Sequence, residues 1–179
     1  MKSISTERLT LRPYQESDLE SLSSILRDSE VMNHVLTGNA FSNPEIDQFI
    51  AQYMIADAGD GLGFGTLCRN DDRRVIGCAG LILCHYLKTE EVEIGYILGQ
   101  MGWGKGYATE IGIALTEYGL NEMNRQAVFA SVQSNNIRSK RVLEKTGMVF
   151  LCEIKIPDRG IREIYKTIAS KERETYVMH

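Results

Sequence analysis

A chain of 179 residues, 43% hydrophobic and 25% charged, has the length and balance of one globular domain. It can bury enough apolar surface to fold without disulfide or metal staples. Against 24 Asp and Glu stand 20 Lys and Arg, and the resulting net charge of −4 argues against a general nucleic-acid binder. No apolar run approaches the roughly 20 residues that span a bilayer. The opening Met1-Lys2-Ser3-Ile4-Ser5-Thr6-Glu7-Arg8 lacks the apolar core of a signal peptide, so the expected location is cytoplasmic. Cys68, Cys78, Cys84 and Cys152 show no CxxC spacing and read as reduced core cysteines, with neither a metal site nor a redox pair.

Leu9-Thr10-Leu11-Arg12-Pro13 alternates apolar and polar residues and predicts a first strand that proline ends. Residues 16 to 27 carry Leu19, Leu22, Ile25 and Leu26 at helical spacing. Ser42-Asn43-Pro44-Glu45 is a helix start, followed by Ile46, Phe49, Ile50 and Tyr53 on one face. The cluster Gly59–Gly65 predicts a loop, and strands are expected at Phe64–Cys68 and Val75–Leu87 around the turn Asn70-Asp71-Asp72. Glu91–Leu98 is a further strand with Val92, Ile94, Tyr96 and Leu98 on one face. A glycine-rich turn follows, then a helix from about Gly106 to Asn121, a strand at Ala127–Val132 and a helix at Asn136–Thr146. Strands at Met148–Ile156 and Ile161–Ile168 close the chain. The order β-α-α-β-β-β-α-β-α-β-β describes an α/β chain of the α+β type. Its mixed central sheet of about seven strands carries helices on both faces.

The glycine-rich turn Gln100-Met101-Gly102-Trp103-Gly104-Lys105-Gly106-Tyr107-Ala108-Thr109-Glu110 lies between a strand and a helix. A helix start has unpaired N–H groups and a partial positive charge, and glycines let a phosphate approach them. A tight turn with no ligand is the alternative. The Rossmann pattern GxGxxG fails because Tyr107 stands where the third glycine belongs. The Walker pattern fits as far as Gly104-Lys105, but Gly106 offers no hydroxyl for magnesium.

Trp103-Gly104-Lys105-Gly106-Tyr107-Ala108-Thr109-Glu110 resembles the acetyl-coenzyme A loop of the GNAT acetyltransferase superfamily, in the branch that contains the ribosomal-protein N-terminal acetyltransferases. Thr6-Glu7-Arg8-Leu9-Thr10-Leu11-Arg12 resembles that branch's opening strand, Glu93-Ile94-Gly95-Tyr96 its fourth strand, and Asn136-Ile137-Arg138-Ser139 through Gly147 its Asn-x-x-Ser helix. The match covers a core of about residues 6–168, within a single expected domain at 1–179. It implies a curved sheet splayed between its fourth and fifth strands, with acetyl-CoA wedged into the gap. Backbone at Tyr96, Ile97 and Leu98 would pair with the pantetheine arm. The N–H groups of Trp103, Gly104, Lys105, Gly106, Tyr107 and Ala108 would take the pyrophosphate, and no metal is required.

Two departures stand out. Trp103 replaces the Gln or Arg common at the first loop position, and Leu143 occupies the place of the tyrosine that many members use as general acid. Ile97 and Met148 stand where aromatics are common.

Acetyl transfer to an amine needs a route for the amine's proton, a donor to the leaving thiolate and an N–H for the oxyanion. By resemblance Ser139 would donate to the sulfur, the alternative being a solvated helix serine. Asn136 would bond the pantetheine arm, although helix capping also explains it. Glu93 is the leading base candidate, against a salt-bridged surface glutamate. His85 is a second base candidate, and His34 and His179 rank below it. Lys105, Arg138, Lys140 and Arg141 are candidates for the cofactor's phosphates, or a plain charged helix face.

The function implied is acetyl-CoA-dependent N-acetyltransfer to a primary amine by direct attack in a ternary complex. The acceptor would be a protein N-terminus; alternatives are a small-molecule amine (polyamine, amino acid or antibiotic) or a non-catalytic CoA-binding sensor. A negative protein suits a cationic acceptor. No nucleic acid or membrane partner is expected, and monomer and homodimer are both compatible with the sequence.

Overall fold

The computed structural model describes residues 2–55, 61–84, 86, 91–157 and 159–168. Its strands are β1 (Ile4–Ser5), β2 (Leu9–Arg12), β3 (Gly63–Arg69), β4 (Val75–Cys84), β5 (Glu91–Leu98), β6 (Ala127–Val132), β7 (Val149–Ile156) and β8 (Gly160–Ile168). They form one sheet in the order β1-β2-β3-β4-β5-β6-β8-β7. Neighbours are antiparallel except β5 and β6, which are parallel.

The helices are α1 (Leu19–Leu26), α2 (Ser29–Met32), α3 (Asn43–Phe49), α4 (Tyr107–Glu117) and α5 (Ile137–Lys145). Strand alternation sends successive side chains to opposite faces, so each face of the sheet needs its own cover. On one face Leu22 and Leu26 of α1, Met32 of α2 and Ile46 and Phe49 of α3 pack with Phe64, Cys78 and Ile97. On the other, Tyr107, Ile111 and Leu115 of α4 and Leu143 of α5 pack with Leu81, Val92, Ile94 and Val128. Each fully buried leucine here contributes about 1.5–3 kcal/mol.

The expected strand ending at Pro13 ends at Arg12, and the two-residue β1 before it leaves too short a pattern to read. Four-residue α2 was not anticipated; the Asp28 side chain caps it by accepting from the N–H groups of Glu30 and Val31. The helix expected to run to Tyr53 is α-helical only to Phe49 and continues as a π segment, Ile50–Ile55. Likewise α4 ends at Glu117 and widens into a π turn, Tyr118–Glu122. Apolar spacing over one turn does not separate these geometries. Strand β4 ends at Cys84 rather than Leu87, with residues 85 and 87–90 outside the described set. The expected Gly59–Gly65 loop lies partly outside it, and Gly63 already belongs to β3.

One discontinuity positions the site. Strands β4 and β5 pair at eight successive positions, Gly77↔Leu98 to Cys84↔Glu91. Strands β5 and β6 pair at one, Glu93↔Phe129. Beyond Glu93 the two strands diverge, and the edge of β5 has no strand partner.

Candidate active site

The divergence opens a cavity of about 1090 Å³ whose walls include Glu93, Tyr96, Leu98, Gly104, Asn136 and Ser139. Most of the residues singled out from sequence therefore converge on one space.

At its far end β5 runs through a 3-10 turn, Gln100–Gly102, into α4. Gly104 (φ +71°) and Gly106 (φ +80°) are left-handed, a conformation other residues adopt only at a cost. A Cβ at Gly104 would meet nothing within 4 Å, so that face of the turn is open. The first N–H groups of α4 have no intrahelical acceptor and border this opening. The Trp103 indole N–H donates to the Leu98 carbonyl at 2.8 Å, and the Arg138 guanidinium lies 5.0 Å from the Trp103 ring centroid. Leu98 thus already has one bond at its carbonyl, and Arg138 is a lid on the indole. Arg141 also lines the cavity. Lys105 is exposed in the turn, and its carbonyl accepts from Arg8. Lys140 is turned elsewhere: its ammonium pairs with Glu163 at 2.9 Å, which removes it from the phosphate candidates.

The turn is held from a distance. Glu110, in the first turn of α4, accepts from the Thr6 hydroxyl (2.6 Å), the Arg8 backbone N–H (2.8 Å) and the Arg8 guanidinium (2.7 Å). The Arg8 guanidinium also donates to the Lys105 carbonyl at 2.9 Å and lies 4.9 Å from the Tyr107 ring centroid. Burial opposes ionisation of Glu110, but the hydrogen bonds from Thr6 and Arg8 outweigh it and lower its pKa. The sequence contains both halves of this clasp in separate motifs, 104 residues apart, and a single sequence has no signal that pairs them.

Asn136 is the N-cap of α5, its side-chain oxygen accepting from the Ser139 N–H at 3.1 Å. Capping and cavity lining coexist. The Ser139 hydroxyl lies 2.7 Å from the Tyr96 hydroxyl. Burial pushes the Tyr96 phenol up to about 12, and the Ser139 contact opposes that only in part. The phenol therefore keeps its proton at neutral pH. Leu143 is buried in the core, and the phenol that reaches Ser139 comes from β5. Sequence reading assigned Tyr96 only a backbone role.

Glu93 is 4% exposed and so is no surface glutamate. Its carboxylate accepts from the Tyr86 hydroxyl at 2.5 Å and pairs with Arg159 at 3.1 Å. Burial first, and the Glu93 charge second, push the Tyr86 phenol up, so it acts as donor. Each carboxylate oxygen has a second lone-pair site, so a base function stays open to Glu93. On the same face Gly95 lies under the Phe64 ring, where a Cβ would come within 2.5 Å of Cζ. Neither Tyr86 nor Arg159 was singled out from sequence, since both reach Glu93 from loops. His85 and His179 lie outside the described residues. His34 lines the cavity with Nδ1 3.2 Å from the Gln133 side-chain oxygen. Cys84 is within electrostatic reach of Glu93, but burial and that charge push its thiol up to about 11, which disfavours a thiolate nucleophile. Among the described residues no cluster of three or more His, Cys, Asp or Glu could hold a metal, and no helix is long and apolar enough to cross a membrane.

The comparison with protein families decides the larger question. Residues 8–149 match the family model for the acetyltransferase (GNAT) domain. The chain belongs to the GNAT acetyltransferase family. This GNAT chain is 30% identical over 145 residues to the uncharacterized N-acetyltransferase YnaD of Bacillus subtilis, covering 81% of each. It superposes on a GNAT acetyltransferase from Bacillus anthracis with a TM-score of 0.78 at 26% identity, covering 93% of this chain and 98% of that one. Two CoA complexes share the fold: RimL, a ribosomal L7/L12 protein acetyltransferase (TM-score 0.75, 14% identity, 93% and 98% covered), and a spermidine N-acetyltransferase from Vibrio cholerae (0.73, 16%, 93% and 98%). The chain is a GNAT N-acetyltransferase, and its sheet is the open mixed sheet of that fold.

Proposed function

We propose that this enzyme moves acetyl from acetyl-CoA to a primary amine by direct attack in a ternary complex. One observation carries the reading: the partnerless edge of β5 leads into the left-handed glycine turn, and both border the cavity that holds Glu93 and Ser139. The open face at Gly104 fits a pyrophosphate, which a backbone N–H cradle and a helix start stabilise. Trp103, Gly104, Lys105, Gly106, Tyr107 and Ala108 would hold the phosphates, with Arg138 and Arg141 nearby. Tyr96, Ile97 and Asn136 would hold the pantetheine arm. Bound acetyl-CoA supplies a thioester whose carbonyl carbon takes the amine and whose sulfur leaves as a thiolate.

The chain's own groups then divide the proton work. Glu93 attracts the ammonium form of the acceptor and takes its proton, directly or through water, so that the neutral amine attacks. Ser139 donates to the departing sulfur, and the Tyr96 phenol at 2.7 Å resupplies it. With Cys84 disfavoured as thiolate, no described group near Glu93 supports an acyl-enzyme route. A peptide N-terminus and a small-molecule amine both satisfy this chemistry. The test is a thiol-release assay with acetyl-CoA over peptides, amino acids, polyamines and aminoglycosides. Release with one class is the expected result. Tight CoA binding without release on any acceptor would overturn the reading in favour of a sensor.

A further inference from the structure

We infer that the acceptor is a small primary amine that also bears an oxyanion, a carboxylate or phosphate, and that Arg162 receives that group. The inference rests on the acetyltransfer reading for the position of the amine, and narrows its acceptor.

Three charged side chains are buried among the described residues: Asp18, Glu93 and Arg162. Asp18 has Arg12 at 2.7 Å, and Glu93 has Arg159 at 3.1 Å. Arg162, 6% exposed, has no carboxylate partner among the described residues. Its guanidinium donates to two backbone carbonyls, Leu36 at 2.6 Å and Ile161 at 3.0 Å. Carbonyls satisfy donors but cancel no charge, and a buried guanidinium does not shed its proton. Five N–H donors exceed two acceptors. Of its three nitrogens only Nε has no acceptor among the described residues, and it is not sealed from the surroundings, while Arg162 itself lines the cavity.

Its neighbour sharpens the point. Burial and the nearby Arg159 charge both act to lower the Arg162 pKa, which places the two guanidinia within electrostatic reach of each other. Arg159 is committed to Glu93. Glu93, Arg159 and Arg162 all line the cavity and together carry one net positive charge, with the carboxylate assigned to the amine. A zwitterion sets its ammonium at Glu93 and its oxyanion at Arg162, where the planar fork suits bidentate capture. One stretch of the lining is aromatic: Phe49, Tyr53 and Phe64 form a ring cluster with centroids 5.3–6.3 Å apart. That lining suits an acceptor with an aromatic or aliphatic body.

A loop clamp is the competing role for Arg162, because Leu36 is left-handed (φ +46°) and its carbonyl is held there. The experiment separates the two. Thiol release is measured for the wild type with phenylalanine against phenylalaninamide, and with phosphoethanolamine against ethanolamine. The expected kcat/KM ratio favours the charged member of one pair by about tenfold or more; the pair that responds distinguishes carboxylate from phosphate. Arg162→Gln brings that ratio near one, and Arg162→Lys leaves it in between. A clamp alone would lower both members of a pair together and leave the ratio intact, and that result overturns the proposal, as does a wild-type preference for the neutral amines, for a polyamine or for an uncharged peptide N-terminus. Calorimetry of the wild-type enzyme with N-acetylphenylalanine and its amide reads the same subsite without turnover. Tighter binding of the acid supports the oxyanion site even if no amine releases thiol, which would count against the acetyltransfer reading alone. Equal affinities here, together with no preference for phosphoethanolamine over ethanolamine, sink the site.

Discussion

The Ser139 and Tyr96 hydroxyls lie 2.7 Å apart, within hydrogen-bond reach of each other. A serine hydroxyl alone is a weak acid. A buried phenol behind it, pushed up to about 12, is a reservoir that stays protonated through the working range. Ser139→Ala is expected to lower kcat by about ten- to a hundredfold with little change in acetyl-CoA affinity, and Tyr96→Phe to produce a smaller loss in the same direction. Single-turnover kinetics, where chemistry is isolated, check both; an unchanged rate in Ser139→Ala returns that residue to a helix serine. Glu93 makes a different prediction. The acceptor amine is almost wholly protonated at neutral pH. Glu93→Gln should therefore depress kcat/KM most at low pH, with partial recovery as rising pH deprotonates the free amine. Superimposable profiles from pH 6 to 10 for wild type and variant would remove Glu93 from the reaction. Ser139, Asn136 and Glu93 were legible because each belongs to a short motif. Tyr86, Arg159 and Arg162 were not, because their roles depend on which strands and loops the fold brings together, and local pattern carries no trace of that.

At the scale of elements, the glycine turn and α4 behave as one part. Gly104 has open space around a would-be Cβ, so Gly104→Ala carries only the left-handed backbone strain, about 1–2 kcal/mol. A loss of acetyl-CoA affinity well beyond the corresponding loss of stability then measures ligand contact at that face. Gly106→Val meets the same strain and also crowds the Arg8 guanidinium, 3.4 Å from a would-be Cβ. It should cost more in both stability and affinity. Calorimetric titration beside urea unfolding separates the two terms, and equal affinity in all three proteins would exclude the turn from the site. The turn, α5 and all seven longer strands were legible from periodicity, caps and glycines. The π segments, β1 and α2 were not, since a one-turn irregularity or a two-residue strand leaves too little pattern.

For the whole molecule, stability at low pH is tied to Asp18. Its carboxylate accepts from Arg12 through both oxygens, from the Gln15 N–H at 2.9 Å and from the Thr66 hydroxyl at 2.9 Å. This joins the start of α1 to β2 and β3. Burial raises the Asp18 pKa, but the bonds from Arg12, Gln15 and Thr66 outweigh it and the net shift is downward. A depressed carboxylate stabilises the fold above its unfolded value, near pH 4, and that stability is lost as pH falls through the folded value. Asp18→Asn should cost about 3 kcal/mol or more near neutrality by leaving Arg12 unpaired. The gap from wild type should narrow below about pH 4, as urea midpoints across pH will reveal; a constant gap would locate the loss in packing instead. The gap between Glu91–Leu98 and Ala127–Val132 followed from the resemblance, but this long-range anchor, like the clasp at Glu110, was invisible in one sequence.

That clasp has a kinetic consequence. Glu110 binds Thr6 and Arg8 from the first turn of α4, while Arg8 holds the carbonyl of Lys105 inside the turn itself. Any molecule that stills the turn must also still the beginning of the chain. Amide hydrogens of residues 6–10 should therefore exchange more slowly with deuterium when CoA is bound, although the contacts proposed for it lie in the turn and not in the N-terminal strand. Glu110→Gln should loosen that coupling, so that CoA slows exchange in residues 103–109 and leaves residues 6–10 nearly unchanged.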